Sequence, residues 1–384
     1  MDADLVVVGA GIVGLAVARE VQRRRPADTI VVLDRADRVA AHQTGHNSGV
    51  IHGGIYYPPG SLKARLCVRG ARMMYEYCAE HDIPHVRCGK LIVATSADEI
   101  PRLAALFDRG VANRVPSLRR IGAAELTELE PAVRGVAALH APDTGIADFA
   151  AVARSIAASL PDVRLGVDVT RVGPDGVVDH RGGSLRARRV VVCAGLWSDR
   201  LGAAGGTRVI PFRGAYLRLR EPFTRHMIYP VPDPRLPFLG VHVTPHVDGH
   251  TMLGPTALLA PARDAYTLAR WRPRDVWLTA TWPGTWRLAR RFWRTGLHEM
   301  RMAVDKRAFV REAARYVPSL SVGDLDGTVH AGVRAQLLGR DGALVDDFMI
   351  DRIGVVTHLR NAPSPAATSA FALAGKIADG ILEP

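Results

Sequence analysis

Two continuous apolar runs near the start of the chain, at residues 5–8 and 30–33, predict parallel strands that are buried on both faces. Between them apolar residues recur at helical spacing, which predicts a helix. Three glycines in the pattern G-x-G-x-x-G join the first strand to this helix; they are Gly9, Gly11 and Gly14. This order is typical of a dinucleotide-binding motif, in which the glycines permit a tight turn and the close approach of a pyrophosphate.

An acidic residue follows the second predicted strand. Asp34 lies about 20 positions after Gly14, where a carboxylate accepts a hydrogen bond from a ribose hydroxyl of the bound nucleotide. This acid favours a free 2′-hydroxyl and disfavours NADP, whereas FAD and NAD both stay open. The start of the chain therefore predicts a dinucleotide site.

Later segments carry the pattern of further elements of an α/β domain. Residues 41–57 are rich in Gly, His and small polar residues, which is typical of a loop that lies against a ligand. Residues 189–198 contain another buried strand, and it ends in Ala194 and Gly195, a second place where backbone can touch a nucleotide. The other predicted elements here are strands at 91–94, 163–169 and 177–180, and helices at 61–81, 100–110, 123–129 and 149–160.

The pattern changes between residues 206 and 323. Short runs at 216–220, 240–244 and 251–254 are separated by Pro- and Gly-rich turns, which predicts an antiparallel sheet. Helices are predicted at 285–302 and 306–316, strands at 327–332 and 354–358, and a closing helix that ends near residue 381. Because no linker separates the two patterns, we expect the antiparallel lobe to be inserted into the α/β domain.

The predicted fold is therefore α/β (α+β), a Rossmann-like domain with an inserted antiparallel-sheet substrate domain. The nucleotide-binding domain is discontinuous and comprises residues 1–85, 140–205 and 324–384. The substrate-binding domain comprises residues 86–139 and 206–323.

The helix predicted at 285–302 has two chemically different faces. One face carries Arg287, Arg290, Arg291 and Arg294, and the other carries Trp286, Ala289, Phe292, Trp293 and Leu297. One interpretation is a core helix with a basic exposed face. The other is an interfacial helix whose residues 286–297 place Trp and Phe in a membrane and Arg on anionic headgroups.

The composition excludes some classes of protein. The 384 residues include 48% hydrophobic residues, as in ordinary globular proteins. The net charge is +12, but no extended basic-aromatic motif is present, so we expect no nucleic-acid partner. Four irregularly spaced cysteines are typical of a reducing compartment. No targeting segment precedes the first predicted strand, so we expect a cytoplasmic protein, peripheral on the inner face of the cell membrane if residues 286–297 are interfacial.

Three histidines recur at a spacing of four residues, at His242, His246 and His250. This spacing is that of a metal-binding helix, but Pro245 and Gly249 interrupt it. We therefore predict a hairpin with outward or packed histidines, and no metal site.

Several segments together resemble the L-2-hydroxyglutarate oxidase/dehydrogenase family, within the D-amino-acid-oxidase-like FAD oxidoreductases. They occur in order along nearly the whole chain, and the blocks at 44–57 and 361–368 are the most specific. The matching segments are TGHNSGVIHGGIYY at 44–57, PGSLKA at 59–64, CGKLIVA at 88–94, PFRG at 211–214, PFLGVH at 237–242, GVRAQ at 332–336, LVDDF at 344–348 and NAPSPAAT at 361–368.

The resemblance implies an FAD-binding domain with a substrate lobe, and oxidation of L-2-hydroxyglutarate to 2-oxoglutarate. Hydride transfer from substrate C2 to flavin N5 needs a base, for which histidine suits working pH. His52, in the loop that the resemblance places against the flavin, is the first choice, and His358 is the alternative or an orienting donor. A helix N-terminus formed by residues 362–368 is expected to stabilise negative charge at the pyrimidine end of the flavin.

The other expected site residues follow from the same motifs. Arginine forks hold carboxylates bidentately, so Arg213 and Arg334 are the main candidates for the two substrate carboxylates, with Lys63, Tyr57 and Tyr216 as lesser ones. Besides the glycine motif, Asp34, Ala194 and Gly195, the residues expected at FAD are Asn47, Ser48, Gly53, Asn361, Ala362, Pro363 and Ser364. The electron acceptor is expected to be oxygen or a membrane quinone.

Three positions depart from the family pattern, at Ala215, Thr256 and Arg360. They are the sequence grounds for an alternative substrate, namely another 2-hydroxy acid, an amine or a glycerol phosphate. A protein of a different class, a basic FAD protein that mainly binds nucleic acid or a membrane, is the remaining alternative. The segment at 361–368 disfavours an NAD-only dehydrogenase.

Overall fold

The structure, a computed structural model, describes residues 1–202, 205–236 and 239–383, so Pro237 and Phe238 of one matching segment lie outside the described residues. The helices are α1 (Ile12–Arg24), α2 (Leu62–Glu80), α3 (Ile100–Ala112), α4 (Ala123–Leu129), α5 (Phe149–Ala158), α6 (Pro273–Ala280), α7 (Pro283–Val304), α8 (Lys306–Ala314) and α9 (Ala370–Leu382).

The strands fall into three sheets. In chain order they are β1 (Ala3–Val8), β2 (Ile30–Leu33), β3 (Val50–Ile51), β4 (His85–Val86), β5 (Lys90–Ala94), β6 (Arg119–Gly122), β7 (Ala137–Ala141), β8 (Gly145–Ala147), β9 (Val163–Arg164), β10 (Val169–Val172), β11 (Val177–His180), β12 (Gly183–Val192), β13 (Thr207–Leu219), β14 (Met227–Pro230), β15 (His242–Pro245), β16 (Thr251–Gly254), β17 (Leu258–Leu259), β18 (Leu325–Gly339), β19 (Met349–Ile353) and β20 (Val356–Asn361).

The first sheet is the Rossmann-like core that the sequence predicts. Its order is β10-β11-β12-β1-β2-β9, and β20 pairs with β12 and carries β19. The strands β2, β1, β12 and β20 are parallel neighbours. Leu5 and Val7 face the cluster that includes α1, α5 and α9, whereas Val6 and Val8 face a second apolar cluster on the other side. Burial on both faces explains why β1 reads as one continuous apolar run.

The second sheet forms the inserted lobe, and it is larger and more regular than predicted. Its order is β17-β13-β16-β15-β14-β5-β7-β6, with β18 paired to β13. The expected short strand at 216–220 is the end of β13, which has 13 residues and runs antiparallel to the 15-residue β18. The sheet is mixed rather than antiparallel throughout, because β14 and β5 are parallel.

Two predicted boundaries are wrong. Strand β18 belongs to the lobe sheet through its pairing with β13, so residues 324–339 do not belong to the nucleotide-binding domain. The single strand expected at 163–169 is instead split into β9, which pairs with β2, and β10, which pairs with β11. A third, three-stranded sheet, β3-β8-β4, anchors the loop that contains His52.

Helix α7 does not have the buried apolar face of a core helix. Trp286 is 66% exposed, Trp293 55% and Leu297 53%. Only Gly284, Thr285 and Met302 are buried along this helix, and its backbone is non-helical at Phe292. Among the helices of residues 1–202, 205–236 and 239–383, none has the length and apolar character needed to cross a membrane.

Candidate functional site

A cavity of about 1060 Å³ opens where the two sheets meet. The parallel strands β2, β1, β12 and β20 all end at this cavity, and the residues that follow them line it. Ligands of open α/β sheets bind at the carboxyl ends of such strands. The lobe sheet closes the opposite side of the cavity with residues of β13, β14 and β18.

The glycine motif is packed as a dinucleotide turn requires. A Cβ on Gly9, whose φ is +119°, would lie 2.4 Å from the carbonyl oxygen of Cys193. A Cβ on Gly14 would lie 2.0 Å from the carbonyl oxygen of Gly9, so glycine at 14 lets α1 pack directly on the turn. All three motif glycines line the cavity. The absence of side chains at these positions lets a pyrophosphate approach the backbone of the turn closely.

Asp34 and Thr44 stabilise this turn from either side. The carboxylate of Asp34 accepts hydrogen bonds from the backbone N–H of Ala10 at 2.6 Å and of Ala36 at 2.8 Å. The hydroxyl of Thr44 accepts one from Ile12 N–H at 3.0 Å, at the first residue of α1. Because each carboxylate oxygen has two lone pairs, Asp34 can still accept from a ribose hydroxyl at the cavity.

The segment 361–368 lines the same cavity as the glycine turn. Asn361, Ala362, Pro363 and Ser364 line the cavity, as do residues up to Thr368. The amide of Asn361 donates to the carbonyls of Val345 at 2.8 Å and Asp347 at 2.9 Å. Residues 364–369 form turns and α9 begins only at Ala370, so the helix N-terminus predicted at 362–368 is not formed by those residues.

The loop at 41–57 is joined to that segment. The backbone N–H of His52 donates to Thr368 Oγ1 at 3.1 Å, and Thr368 Oγ1 donates to the carbonyl of Val50 at 3.2 Å. Nearby, the amide of Asn47 donates to the carbonyl of Thr44 at 2.6 Å and accepts from Gly49 N–H at 2.8 Å. Asn47 therefore shapes the loop while lining the cavity.

His52 has the environment of a base. Its Nε2 atom lies 3.4 Å from Ser364 Oγ, and its buried Nδ1 atom has no hydrogen-bond partner among the residues that the structure describes. Burial, reinforced by the positive charge of Lys90, holds the pKa of His52 well below its ordinary value. The neutral imidazole can therefore accept a proton at the cavity.

Positive and hydroxyl groups surround the lobe end of the cavity. Burial raises the pKa of Tyr216, whereas hydrogen bonds to its hydroxyl from Ser48 and Arg334 act in the opposite direction. Lys63 Nζ lies 3.0 Å from Asp346 Oδ1 and 4.8 Å from the centre of the Tyr57 ring. The side chains of this group other than the Asp346 carboxylate carry hydrogen-bond donors suited to a bound anion; they are Ser48, Tyr57, Lys63, Tyr216 and Arg334.

The start of α2 fixes Lys63 in place. Ser61 Oγ accepts from Ala64 N–H at 3.2 Å, which is the predicted cap. The carboxylate of Asp347 accepts from the N–H groups of Leu62 at 2.8 Å and Lys63 at 2.9 Å. Negative charge at a helix N-terminus is stabilising, so Asp347 ties the end of the β18–β19 connection to α2.

Three predicted site residues do not line the cavity. His358 lies on β20, where it pairs with Val192 of β12 on one side and with Asp351 of β19 on the other. Its ring occupies the space that a Cβ on Gly202 would need. Because His358 is not among the cavity-lining residues, the structure gives no support to its assignment as a base or orienting donor at the flavin, and that assignment stays a prediction. Burial lowers its pKa to about 4.

Arg213 and Gly53 are the other two. On β13 Gly214 and Tyr216 line the cavity, and because side chains alternate along a strand, Arg213 points to the other face of the sheet. Arg213 is buried there, and its Nε has no hydrogen-bond partner in the described part of the chain. Gly53 packs against Thr144, whose Oγ1 would lie 3.1 Å from a Cβ at this position.

Sequence reasoning missed three aromatic residues of the cavity wall. Tyr56, Tyr229 and His242 all line the cavity, and the Tyr229 and His242 rings stack with centroids 3.9 Å apart. His242 lies on the β15–β16 hairpin that the prolines and glycines indicate, but it faces the site. Tyr56 lies inside the matching segment 44–57, and this could have identified it as a site residue. Tyr229 lies in none of the matching segments, so no sequence signal points to it.

Two of the three departures from the family pattern contact each other. Ala215 N–H donates to Thr256 Oγ1 at 3.1 Å, and Thr256 N–H donates to the carbonyl of Ala215 at 3.1 Å. They lie behind the cavity wall formed by Gly214, Tyr216 and Pro255. Arg360 lines the cavity itself, and its Nε lies 3.3 Å from Asp351 Oδ2. Two of the three departures, Ala215 and Thr256, therefore affect the packing behind the cavity wall rather than the hydrogen-bond donors that face the cavity.

These features fit FAD. The glycine turn, Asp34, His52 and the 361–368 segment line one cavity together with the hydroxyl and cationic groups of the lobe. The turn positions where a Cβ would collide leave backbone exposed to a pyrophosphate. The cavity can thus place a redox cofactor between a nucleotide site and an anion site.

Comparisons with known proteins agree with this geometry. The sequence profile of the FAD-dependent oxidoreductase (DAO) family matches residues 4–380. The chain is 44% identical to the mitochondrial L-2-hydroxyglutarate dehydrogenase of Homo sapiens, over 98% of this chain and 88% of that protein. It is 38% identical to the L-2-hydroxyglutarate dehydrogenase of Indibacter alkaliphilus, with 100% of both chains covered.

Solved structures share the fold at lower identity. Dithionite-reduced L-α-glycerophosphate oxidase from Mycoplasma pneumoniae, with FAD bound, superimposes with a TM-score of 0.77 and 22% identity, covering 100% of this chain and 95% of that one. Glycine oxidase from Geobacillus kaustophilus gives a TM-score of 0.70 with 17% identity, covering 99% and 94%. These two likenesses concern the fold alone.

Proposed function

This chain belongs to the FAD-dependent oxidoreductase family, and from that premise we propose that it oxidises L-2-hydroxyglutarate to 2-oxoglutarate. The observation that carries the proposal is the position of His52, whose Nε2 atom lies 3.4 Å from Ser364 Oγ of the segment 361–368 and whose side chain lines the same cavity as Arg334, Tyr216 and Lys63. FAD supplies the two-electron acceptor that takes the hydride from C2 of the substrate.

His52 is the proton acceptor in this reaction. Its low pKa keeps the imidazole neutral at working pH, so it can take the proton of the C2 hydroxyl as the C2 hydride leaves and the C=O bond forms. Ser364 and the backbone bond to Thr368 hold the ring in the cavity. Charge balance is kept, because one proton goes to His52 and one hydride goes to the cofactor.

Arg334, with Tyr216 and Ser48 at its side, is the group that binds the carboxylate next to the oxidised carbon. Arg334 stands on β18, the strand that brings residues 332–336 to the cavity. Lys63, set at the start of α2, contributes a second positive charge near Tyr57. Orienting the substrate in this way brings C2 toward the cofactor and its hydroxyl toward His52.

An anaerobic titration of the purified holoenzyme tests this function. L-2-Hydroxyglutarate is expected to bleach the visible spectrum of the bound FAD, and 2-oxoglutarate is expected to appear in equal amount. The D-enantiomer is the control and should leave the spectrum unchanged. A flavin spectrum that persists with the L-acid but is bleached by glycerol 3-phosphate or an amino acid would refute the assignment.

We also propose that the enzyme docks on an anionic membrane surface and passes electrons to a quinone there, at the inner face of the cell membrane. The support is the exposed face of α7, in which Trp286, Trp293 and Leu297 stand out from the protein beside Arg290 and Arg294. An amphipathic helix with Trp on one face and Arg on the other suits an interface of acyl chains and negative headgroups.

Co-sedimentation with vesicles that contain phosphatidylglycerol tests this docking. Trp286→Ala/Trp293→Ala should release the protein from the vesicles, whereas Ile353→Ala, an exposed apolar residue of β19, should not. Equal binding of both variants would contradict the membrane proposal. Oxygen consumption that proceeds at the rate of quinone reduction would identify oxygen as the acceptor instead.

A further inference from the structure

Apart from its effect on the pKa of His52, Lys90 is a buried cation to which the proposed reaction gives no role. It is the first residue of β5, its side chain is 1% exposed, and it shares a strand face with Ile92 and Ala94. That face packs into an apolar cluster with Ile55 and Tyr229. An ammonium in such surroundings is costly unless an anion lies near it.

The two buried lysines of the site differ in this respect. Lys63 is paired with Asp346, whereas Lys90 makes no ion pair with any residue of the described ranges 1–202, 205–236 and 239–383. The groups that favour its charged form are the thiols of Cys67 and Cys88. Burial lowers the pKa of Lys90 to about 8, so the ammonium persists at neutral pH without a carboxylate.

Aromatic rings separate Lys90 from the cavity. Its Nζ lies 4.0 Å from the centre of the Tyr229 ring and 5.5 Å from the centre of the Tyr56 ring. Both rings line the cavity, and Tyr229 stacks on His242. A cation behind the face of a ring makes the opposite side more favourable for an anion than a neutral wall would be.

The hydroxyl of Tyr56 supplies a second, independent observation. Its oxygen is buried and has no hydrogen-bond partner among the described residues, although the ring stands on the cavity wall. Burial raises the pKa of Tyr56 well above its ordinary value, so the group is a neutral O–H donor. A buried donor without a partner is rare unless a ligand completes it.

We propose that Tyr56 and Lys90 form the subsite for the substrate carboxylate that is remote from the oxidised carbon, with Tyr56 donating the hydrogen bond and Lys90 supplying the positive charge from behind the ring. The inference rests on the proposed function, since only a 2-hydroxy acid with a second carboxylate would use this wall. Lys90 is a specificity-determining residue that does not touch the reacting atoms.

The same arrangement explains how one end of the cavity can distinguish two carboxylates. Arg334 and Tyr216 stand on the β13–β18 side, whereas Tyr56, Tyr229 and Lys90 stand on the side formed by the 41–57 loop, β14 and β5. A substrate bound between these sides has its two anionic ends held by different groups. Acids with one carboxylate would leave the Lys90 side without a counter-charge.

The test compares three L-configured acids of equal chain length on the FAD-loaded enzyme. They are L-2-hydroxyglutarate, its derivative with the remote carboxylate converted to an amide, and L-2-hydroxypentanoate. Anaerobic bleaching of the flavin gives a half-saturating concentration and a limiting rate for each. The variants are Lys90→Met and Tyr56→Phe, and the matched controls are Lys306→Met on α8 and Tyr77→Phe on α2.

Lys90→Met should raise the half-saturating concentration of the dicarboxylate by about tenfold or more, corresponding to a loss of about 1.4 kcal/mol. The limiting rate and both values for the amide and the pentanoate should stay within about twofold. Tyr56→Phe should weaken both the dicarboxylate and the amide by about three- to tenfold, because each offers an acceptor oxygen. The control variants should match the wild type.

The outcomes separate the two proposals. A wild-type preference for the dicarboxylate that survives in both variants would overturn the subsite and leave the proposed function standing. A wild type that oxidises L-2-hydroxypentanoate as well as L-2-hydroxyglutarate would overturn the proposed substrate, and the subsite with it. If Lys90→Met fails to bind FAD, Tyr56→Phe decides alone, because it removes only one oxygen atom from the wall.

Discussion

The Nε2 atom of His52 lies 3.4 Å from the Oγ atom of Ser364, and this contact joins two segments that are 312 positions apart in the chain. One segment follows β3, and the other follows β20. The contact places the proposed base directly on the segment that forms the cofactor wall.

Replacing His52 by Asn removes the proton acceptor but keeps a polar side chain. We expect the limiting rate of flavin reduction by L-2-hydroxyglutarate to fall by about 10²- to 10⁴-fold, the usual contribution of a general base. FAD content, measured from the absorbance of the purified protein, should not change. His358→Asn is the matched control, and its limiting rate should equal that of the wild type because His358 does not line the cavity. A large loss in the control alone would reverse the assignment.

Replacing Ser364 by Ala removes one partner of the His52 ring without removing the base. The loss of a single hydrogen bond of about 0.5–1.5 kcal/mol predicts a fall of roughly two- to twelvefold in the limiting rate. The half-saturating concentration of substrate should stay constant, since Ser364 acts on the orientation of the base. An unchanged rate would mean that Thr368 and burial position the ring without Ser364.

The pH dependence of the reaction has an acidic limb and an alkaline limb with different origins. The pKa of His52 lies well below its ordinary value of 6.5, so the base stays deprotonated as the pH is lowered from neutrality to 6.5. The limiting rate should therefore fall only at a pH below 6.5. Because the pKa of Lys90 is about 8, its positive charge is present below that pH and is lost above it.

The alkaline limb should therefore appear in substrate affinity. Above pH 8 the half-saturating concentration of L-2-hydroxyglutarate should rise, whereas that of L-2-hydroxypentanoate should not. The titratable groups that surround Lys90 are the thiols of Cys67 and Cys88, the phenols of Tyr56 and Tyr229, and the imidazoles of His52 and His242. Parallel profiles for the two acids would assign the alkaline limb to another group.

Gly14 is predicted to be irreplaceable for cofactor binding. Because a Cβ at this position would lie 2.0 Å from the carbonyl oxygen of Gly9, Gly14→Ala must push α1 away from the turn. The purified variant should contain little FAD, as measured by its absorbance and by release of FAD on heating. Gly296→Ala, in the exposed part of α7 with open space around it, is the control. It should bind FAD normally and gain about 0.5–1 kcal/mol of stability.

Local patterns in the sequence were sufficient for the nucleotide-binding part. The apolar run of β1, the glycines after it and the acid after β2 lie within about 30 residues of each other, so spacing alone determines how they meet. The cap at Ser61 and the bounds of α4 are also matched, because helix signals are local. Local patterns were not sufficient for the lobe.

The parts that were wrong depend on pairings between distant residues. The length of β13 comes from its pairing with β18, more than 100 positions later, and no local pattern reports that partner. Lys90 and Tyr229 were missed for the same reason, since β5 and β14 meet as parallel neighbours across the lobe. Nearness along the chain to Asn361 does not predict whether His358 lines the cavity, because that depends on how β20 lies against its neighbours β12 and β19.

The exposed face of α7 shows a third limit of sequence reasoning. Trp286 and Trp293 repeat at helical spacing, and that pattern is the same whether the face packs on a core or stands in solvent. Only the absence of a facing element in the described fold distinguishes the two, and α7 contacts its neighbours mainly near its ends.

Helix α9 closes the nucleotide-binding domain on α1, which is among the first elements of the chain. Phe371, Leu373 and Ile377 of α9 belong to the same apolar cluster as Leu15 and Val17 of α1. During synthesis the ribosome releases α1 long before α9, so the early half waits with an uncovered apolar surface. Because residues 361–368 of the cavity wall are also synthesised late, the complete cavity forms only after nearly the whole chain has left the ribosome.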